Sequence, residues 1–259
     1  MKEMNLGDRM KMYENFNKQF MMPNQYVLMR LDGKNFSKFT KKYFEKPFDG
    51  EFSWIMQNVM EYLVDNISGA VCGYTQSDEI TLLLTDKKSK GMEGWFNYRV
   101  DKLCSIAASK ASAYFTTEFQ LKYVPESFKV KHPDVDTSNA YPIFDCRVWQ
   151  VPNDAEVKNV FLWRQRDCIR NSILQYAQSF FSHTEMMNKN VDMLKDMIRE
   201  KGYDWDNDLD NQFKYGAFYF PKGDEVEGDE WFYDLINSDE ISAEFVRIFN
   251  DVFYKLNNN

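Results

Sequence analysis

Histidine is nearly absent from this chain: His132 and His183 are the only two in 259 residues. Cysteine is almost as sparse, and Cys72, Cys104, Cys146 and Cys168 are widely spaced with no C-x-x-C pair. A structural zinc site needs clustered thiolate and imidazole ligands, so this set argues against one and reads as four reduced structural thiols. No run of about 18 apolar residues occurs, which argues against a membrane-spanning helix. The opening residues, MKEMNLGDRMKMYENF, carry charges where a secretory signal needs its apolar stretch. The expectation is a soluble, cytoplasmic protein with no membrane partner. Repeats and low-complexity linkers are also missing, so nothing in composition marks a domain boundary.

What is present is apolar and aromatic material, 44% and 17% of the chain, enough for one large core or two small ones. The net charge of -8 speaks superficially against a nucleic-acid partner, but its distribution matters more than its sum. Between Asp204 and Glu240 twelve acids face only Lys214 and Lys222, which leaves the rest of the chain slightly positive. Arg30 to Lys46 holds six cations against Asp32 and Glu45. Such a cluster is either a solvated helix face or a seat for a phosphate-bearing ligand.

Periodicity divides the chain into elements. NQYVLMRLD reads as a central strand, the Asp-Gly turn follows, and NFSKFTKKYF places Phe36, Phe39, Tyr43 and Phe44 at helical spacing. EFSWIMQNVMEYLVDNI is an amphipathic helix, and GAVCGYTQ and ITLLLTD form a hairpin with Asp78 and Glu79 at its tip. A second long helix, small at Ala107, Ala108, Ala111 and Ala113, precedes a strand in FDCRVWQV. This β-α-β-β-α-β order predicts an α+β, ferredoxin-like palm, an antiparallel sheet with both helices on one face, over residues 1–152. Residues 153–259 are expected to add a helical extension with an acidic C-terminal region. There Asn153 is the predicted N-cap of a helix, with Glu156 at its third position.

In that topology the end of the first strand and the hairpin tip lie side by side, so Asp32 would meet Asp78 and Glu79. Two carboxylates at strand tips with a carbonyl such as that of Gly33 make an oxygen-rich site suited to Mg²⁺. A pair of such ions assists in-line phosphoryl displacement. The alternative is two acidic turns exposed to solvent. The start of the helix after the Asp-Gly turn would leave the amides of Lys34, Asn35, Phe36 and Ser37 free to face triphosphate oxygens. Lys46 and Lys102 are candidate cations for the same phosphates. Arg147, Arg164, Arg166 and Arg170 are either a charged face or RNA contacts. Trp163, Tyr215 and Phe218 are expected in the core.

Taken together, RLDGKNFSKF, the F-x-KP-x-D of Phe44 to Asp49, GYTQSDEITLLL, FDCRVWQVPNDAEVKNVFLWRQRDC and the KYG at Lys214 resemble the tRNA-His guanylyltransferase family over about residues 20–220. The resemblance implies a polymerase-like palm with two Mg²⁺ ions, held by Asp32, Asp78 and the Gly33 carbonyl. It implies nucleotide binding by residues 32–37 and by Ser77 and Asp78, with Glu79 completing the catalytic acids. Lys46, Lys102, Arg147 and Arg164 match further charged positions of the family, and Arg170 and Asn171 join the implied RNA contacts. The implied substrates are tRNA with ATP, GTP and other nucleoside triphosphates, and a homotetramer is the implied assembly.

One segment departs from the eukaryotic members. Where they carry HINNLYN, this chain has Ile169 to Gln175, IRNSILQ, so the family's histidine falls on Ile169. Arg170, Asn171 and Ser172 resemble the bacterial and archaeal guanylyltransferase-like branch, which implies template-directed repair of truncated tRNA 5′ ends rather than obligatory addition of one G. Two rivals of other classes share parts of this pattern: a palm-type nucleotide cyclase or signalling synthase, and a non-catalytic RNA-binding module.

Overall fold

The computed structural model describes residues 4–87, 91–122, 137, 140–221 and the backbone of 230–232. An outlying helix α1, Leu6–Asn15, buries none of its residues. Then follow β1 (Tyr26–Gly33), α2 (Phe36–Tyr43), α3 (Gly50–Asn66), β2 (Ala70–Gln76), β3 (Glu79–Leu84), α4 (Val100–Glu118) and β4 (Phe144–Val151). After β4 come the long α5 (Asp154–Ala177), the short α6 (His183–Met186), α7 (Val191–Glu200), two further short helices α8 (Trp205–Asp208) and α9 (Asn211–Tyr215), and strands β5 (Ala217–Phe220) and β6 (Glu230–Phe232).

The sheet is antiparallel in the order β4-β1-β3-β2-β5-β6, and its first four strands are the expected ferredoxin-like palm. Alternation along β1 explains both of its faces. Val27, Met29 and Leu31 point into the core beneath α2, α3 and α4, while Tyr26 and Leu28 point to the other face. There Val157 and Phe161 of α5 pack on them together with Tyr74, Leu83 and Phe218. Away from the tips that carry Arg30, Asp32 and Glu79, the central strands are mostly apolar, in keeping with cover on both faces. On α4, Ala107 and Ala111 are fully buried and allow close approach to the sheet, whereas Ala113 is exposed.

Asn153 caps α5 as its sequence predicts, its side chain accepting from the Glu156 amide at 3.0 Å. The aromatic run after Lys214 forms β5, which pairs with β2 through Thr75↔Ala217, Tyr74↔Phe218 and Gly73↔Tyr219. Gly216 makes that entry possible: its φ is +76°, and a Cβ there would lie 2.6 Å from the Thr75 carbonyl oxygen. Residues beyond 152 therefore supply α5 to one face of the palm and β5 to its edge. A smaller apolar cluster joins the end of α5 to α7 through Ile173, Ala177, Leu194, Ile198 and Trp205. The first acids of the acidic stretch are engaged locally: Asp206 pairs with Lys195 and Arg199, and Asp208 accepts from the Tyr176 hydroxyl. From residue 222 onward that stretch, apart from the backbone of 230–232, lies outside the described residues.

Candidate active site

Three features bring the tips of β1 and the β2–β3 hairpin together. Asp32 is the cross-strand partner of Glu79. The Gly33 amide donates to the Asp78 carbonyl at 3.0 Å, fastening one turn to the other. Ser77 takes a left-handed φ of 48°, which allows the hairpin to reverse in two residues. Asp32, Gly33 and Asp78 are thus neighbours, as the topology predicts, and Asp32, Ser77 and Asp78 line a cavity of about 1150 Å³.

The Asp-Gly turn differs from its expected form. Gly33 ends β1 opposite Phe144, and positive φ falls instead on Asn35, at 60°. Glycine is needed at 33 for space, since a Cβ would meet the Phe36 ring at 2.4 Å. That ring is held by Phe144, Phe115 and Phe39, with centroids at 4.9, 5.3 and 5.4 Å. The Lys34 amide is not free for phosphate, because it donates to the Ile143 carbonyl at 2.8 Å. At the start of α2 the N-cap Asn35 gives no side-chain hydrogen bond. The amides of Phe36 and Ser37 consequently remain open at the helix end, and both residues line the cavity.

Burial sets the electrostatics. It pushes the Asp78 carboxyl above its ordinary range, and the Asp32 charge pushes in the same direction; Ser77 and Lys46 oppose it. Lys46 is lowered by burial, with Asp78 and Asp49 acting against the shift, and its Nζ donates to Thr40 Oγ1 at 2.6 Å. Two carboxylates and a nearby ammonium therefore share a partly dry cavity, an arrangement that favours an added cation. Among the described residues no group of three or more His, Cys, Asp or Glu side chains is placed to hold a metal. The donors fit Mg²⁺ in its usual mode, which takes one or two carboxylates and completes its shell with water and substrate phosphate.

Glu79, expected among the catalytic acids, is differently employed. Its Oε1 and Oε2 accept from Arg164 Nε and Nη2 at 2.6 and 2.8 Å, and Arg30 Nε stands 3.8 Å away. Burial raises its carboxyl and Arg164 works against that rise. Arg164, expected at an RNA backbone, is 5% exposed and also holds Asp167 at 2.8 Å, so its Nε and Nη2 are engaged inside the protein. Lys102 does not reach the site. It sits in the first turn of α4, where Val100 bonds to Gln19 near the start of β1, while Phe115 and Phe119 at the other end of α4 pack beside Phe36 and Phe39.

Arg147 is exposed on β4 opposite Arg30 and pairs with Asp145 at 3.2 Å. Arg170 is exposed and ion-paired with Asp167, and Asn171 lines the cavity. Trp163 departs from its expected place in the core: it is 53% exposed, whereas Phe218 is fully buried. A polar wall also escapes the sequence reading, in which Asp167, Asn171, Gln175 and Gln178 descend one side of α5. Their three- and four-residue spacing is the helical period, and a search for a polar stripe on an otherwise buried helix would have shown it.

Comparison with known proteins bears directly on this geometry. The family model described as Thg1, tRNAHis guanylyltransferase, matches residues 7–152. The chain belongs to that family. Its members are nucleotidyltransferases. An uncharacterized protein of Acanthamoeba polyphaga mimivirus, R259, is 35% identical over 75% of this chain and 70% of its own length. The tRNA(His) guanylyltransferase of Debaryomyces hansenii is 30% identical over 63% of this chain, which spans 56% of that relative. Among solved structures, a bacterial tRNA(His) guanylyltransferase-like protein in complex with ATP superposes with a TM-score of 0.79 at 32% identity, covering 95% of this chain and 99% of that one. A bacterial guanylyltransferase-like protein in complex with GTP gives 0.72 at 30% identity, with 96% and 99% coverage. The likeness to the bacterial structures runs past residue 152 and so includes α5 and β5.

Proposed function

We propose that this protein is a template-directed 3′–5′ nucleotidyltransferase that extends tRNA 5′ ends, repairing truncated acceptor strands. The observation that carries the reading is the pairing of Asp32 with Asp78 at the cavity, fastened by the Gly33–Asp78 hydrogen bond. Activation joins the tRNA 5′-monophosphate to the α-phosphate of ATP or GTP and releases pyrophosphate. The 3′-hydroxyl of an incoming nucleoside triphosphate then attacks the activated 5′-phosphate, losing its proton as AMP or GMP leaves. A 5′-triphosphate end bypasses activation and releases pyrophosphate.

Asp32, Asp78 and the Gly33 carbonyl would hold two Mg²⁺ ions. Those ions supply a lowered pKa at the attacking hydroxyl and neutralise charge on the leaving phosphate. The protein's own groups do the positioning. Lys46 places an ammonium beside Asp78, the open amides of Phe36 and Ser37 face incoming phosphate oxygens, and Asn171 and Gln175 offer hydrogen bonds from the opposite wall. A homotetramer belongs to the same proposal by resemblance, and a cytoplasmic setting is proposed with it.

Addition of a single G to tRNA-His is the second reading, supported by the names of the family and its relatives. Ile169 in place of the eukaryotic histidine favours repair. The test offers the protein a 5′-truncated, 5′-monophosphorylated tRNA with ATP, all four nucleoside triphosphates and Mg²⁺, in parallel with intact tRNA-His. Extension that stops at full acceptor pairing is expected. Cyclic nucleotide from triphosphate alone, with no RNA extended, would overturn the proposal, and single-G addition confined to tRNA-His would establish the second reading instead.

A further inference from the structure

Trp163 lies outside the cavity, 53% exposed, with two guanidinium groups close to its ring. Arg164 Cζ is 4.6 Å from the ring centroid and Arg30 Cζ is 5.7 Å away. The two arginines differ in what else they hold. Arg164 engages Glu79 and Asp167 through its Nε and Nη2. Among the described residues Arg30 Nε is buried without a hydrogen-bond partner, and Glu79, 3.8 Å away, is already engaged by Arg164. That Nε is sealed from solvent, so the guanidinium can meet an acceptor from outside only through its terminal nitrogens.

Position gives this pair its meaning. Arg30 precedes Asp32 by two residues on the same face of β1, about 7 Å along the strand. Arg147 is its cross-strand partner on β4 and is half exposed, and among the described residues it is ion-paired with Asp145. Isolated exposed hydrophobic side chains need no explanation, and Trp54 on α3, over Lys122, is one of them. Trp163 differs because its ring, a guanidinium with an unused donor and a second exposed cation all lie beside the candidate reaction centre.

We propose that Trp163 and Arg30 form a stacking platform for an unpaired nucleobase of the RNA, on the strand opposite the 5′ end being extended, with Arg30 and Arg147 contacting its flanking phosphates. The inference rests on the proposed function, which sets an RNA 5′ end at Asp32 and Asp78. A templating base stays unpaired until the incoming nucleotide meets it, so one of its faces needs an aromatic neighbour during that interval. Base stacking on an aromatic side chain tolerates any sequence, as repair of different tRNAs requires. The flanking cations favour RNA over an apolar protein segment as the occupant.

The test measures binding by filter retention, without turnover, of a 5′-monophosphorylated tRNA transcript lacking its first nucleotide. A second transcript carries an abasic residue at the position left unpaired. Trp163→Ala is expected to weaken binding of the first transcript by roughly 5- to 100-fold. Trp163→Phe should retain most of the affinity and Trp54→Ala all of it. With the abasic transcript the difference between wild type and Trp163→Ala should vanish. Equal affinities for the first transcript, or an undiminished loss with the abasic one, would overturn the platform. Trp163-dependent binding by a protein that extends no tRNA would keep the platform and sink the polymerase reading, so the two fail separately.

Discussion

Asp78 illustrates a residue held in a state its fold resists. Its carboxyl is raised by burial and by the Asp32 charge, so the folded protein binds its proton more tightly than the unfolded chain does. The stability contributed by that proton is full below the unfolded pKa and is lost as pH rises through the higher folded value. At neutral pH without divalent metal, Asp78→Asn should therefore raise the melting temperature in a thermal scan, and a fall would contradict this account. The same change, like Asp32→Ala, should reduce tRNA extension by roughly a hundredfold or more through loss of a metal ligand. Near-normal activity in either variant would remove both residues from the metal site. In wild type, the Mg²⁺ concentration needed for half-maximal extension should rise as pH falls, because the proton that Asp78 holds more tightly than usual competes with the metal.

Elements meet at the pair between Glu79 of β3 and Arg164 of α5. Both side chains are buried, at 10% and 6% exposure, and their two hydrogen bonds tie the hairpin that presents Asp78 to the helix that forms the far wall of the cavity. Removing one partner leaves the other charge buried with only its weaker neighbour, Asp167 for Arg164 and Arg30 for Glu79. Arg164→Met should cost about 3–5 kcal/mol in denaturant unfolding, as should Glu79→Ala, while the double variant should cost clearly less than their sum. Additive losses would mean that the pair does not couple the two elements. The helical period shows that α5 exists, and its N-cap shows where it starts. Which of its turns faces Glu79 depends on the crossing of α5 over the sheet, and no local pattern encodes that crossing.

For the whole molecule, the palm is incomplete at residue 152. Tyr26, Leu28, Tyr74 and Leu83 are covered by α5, and β2 gains an edge partner only from β5. A fragment ending at residue 152 would expose this apolar face and an unpaired strand. It should aggregate, or show no cooperative transition in calorimetry, whereas the full chain should unfold the palm and α5 together. A soluble fragment with a sharp transition would establish residues 1–152 as an independent unit.

By itself the sequence determined the order of strands and helices from β1 to α5, the cap of α5 and the meeting of Asp32 with Asp78. Those features follow from residue periodicity, turn chemistry and the adjacency that a β-α-β-β-α-β chain imposes on its strand tips. The extension expected to be helical, by contrast, also adds β5 and β6 to the sheet. Only the tertiary structure decided what each charge does once it is there. Lys102 lies at the wrong end of the sheet, the Lys34 amide is spent on Ile143, Arg164 is consumed by Glu79, and Trp163 is turned outward. Each outcome depends on a partner distant in sequence or on the packing of α5. Gly33 belongs to both levels: its place after Asp32 is written in the chain, but its reason is the ring of Phe36, which folding brings against it.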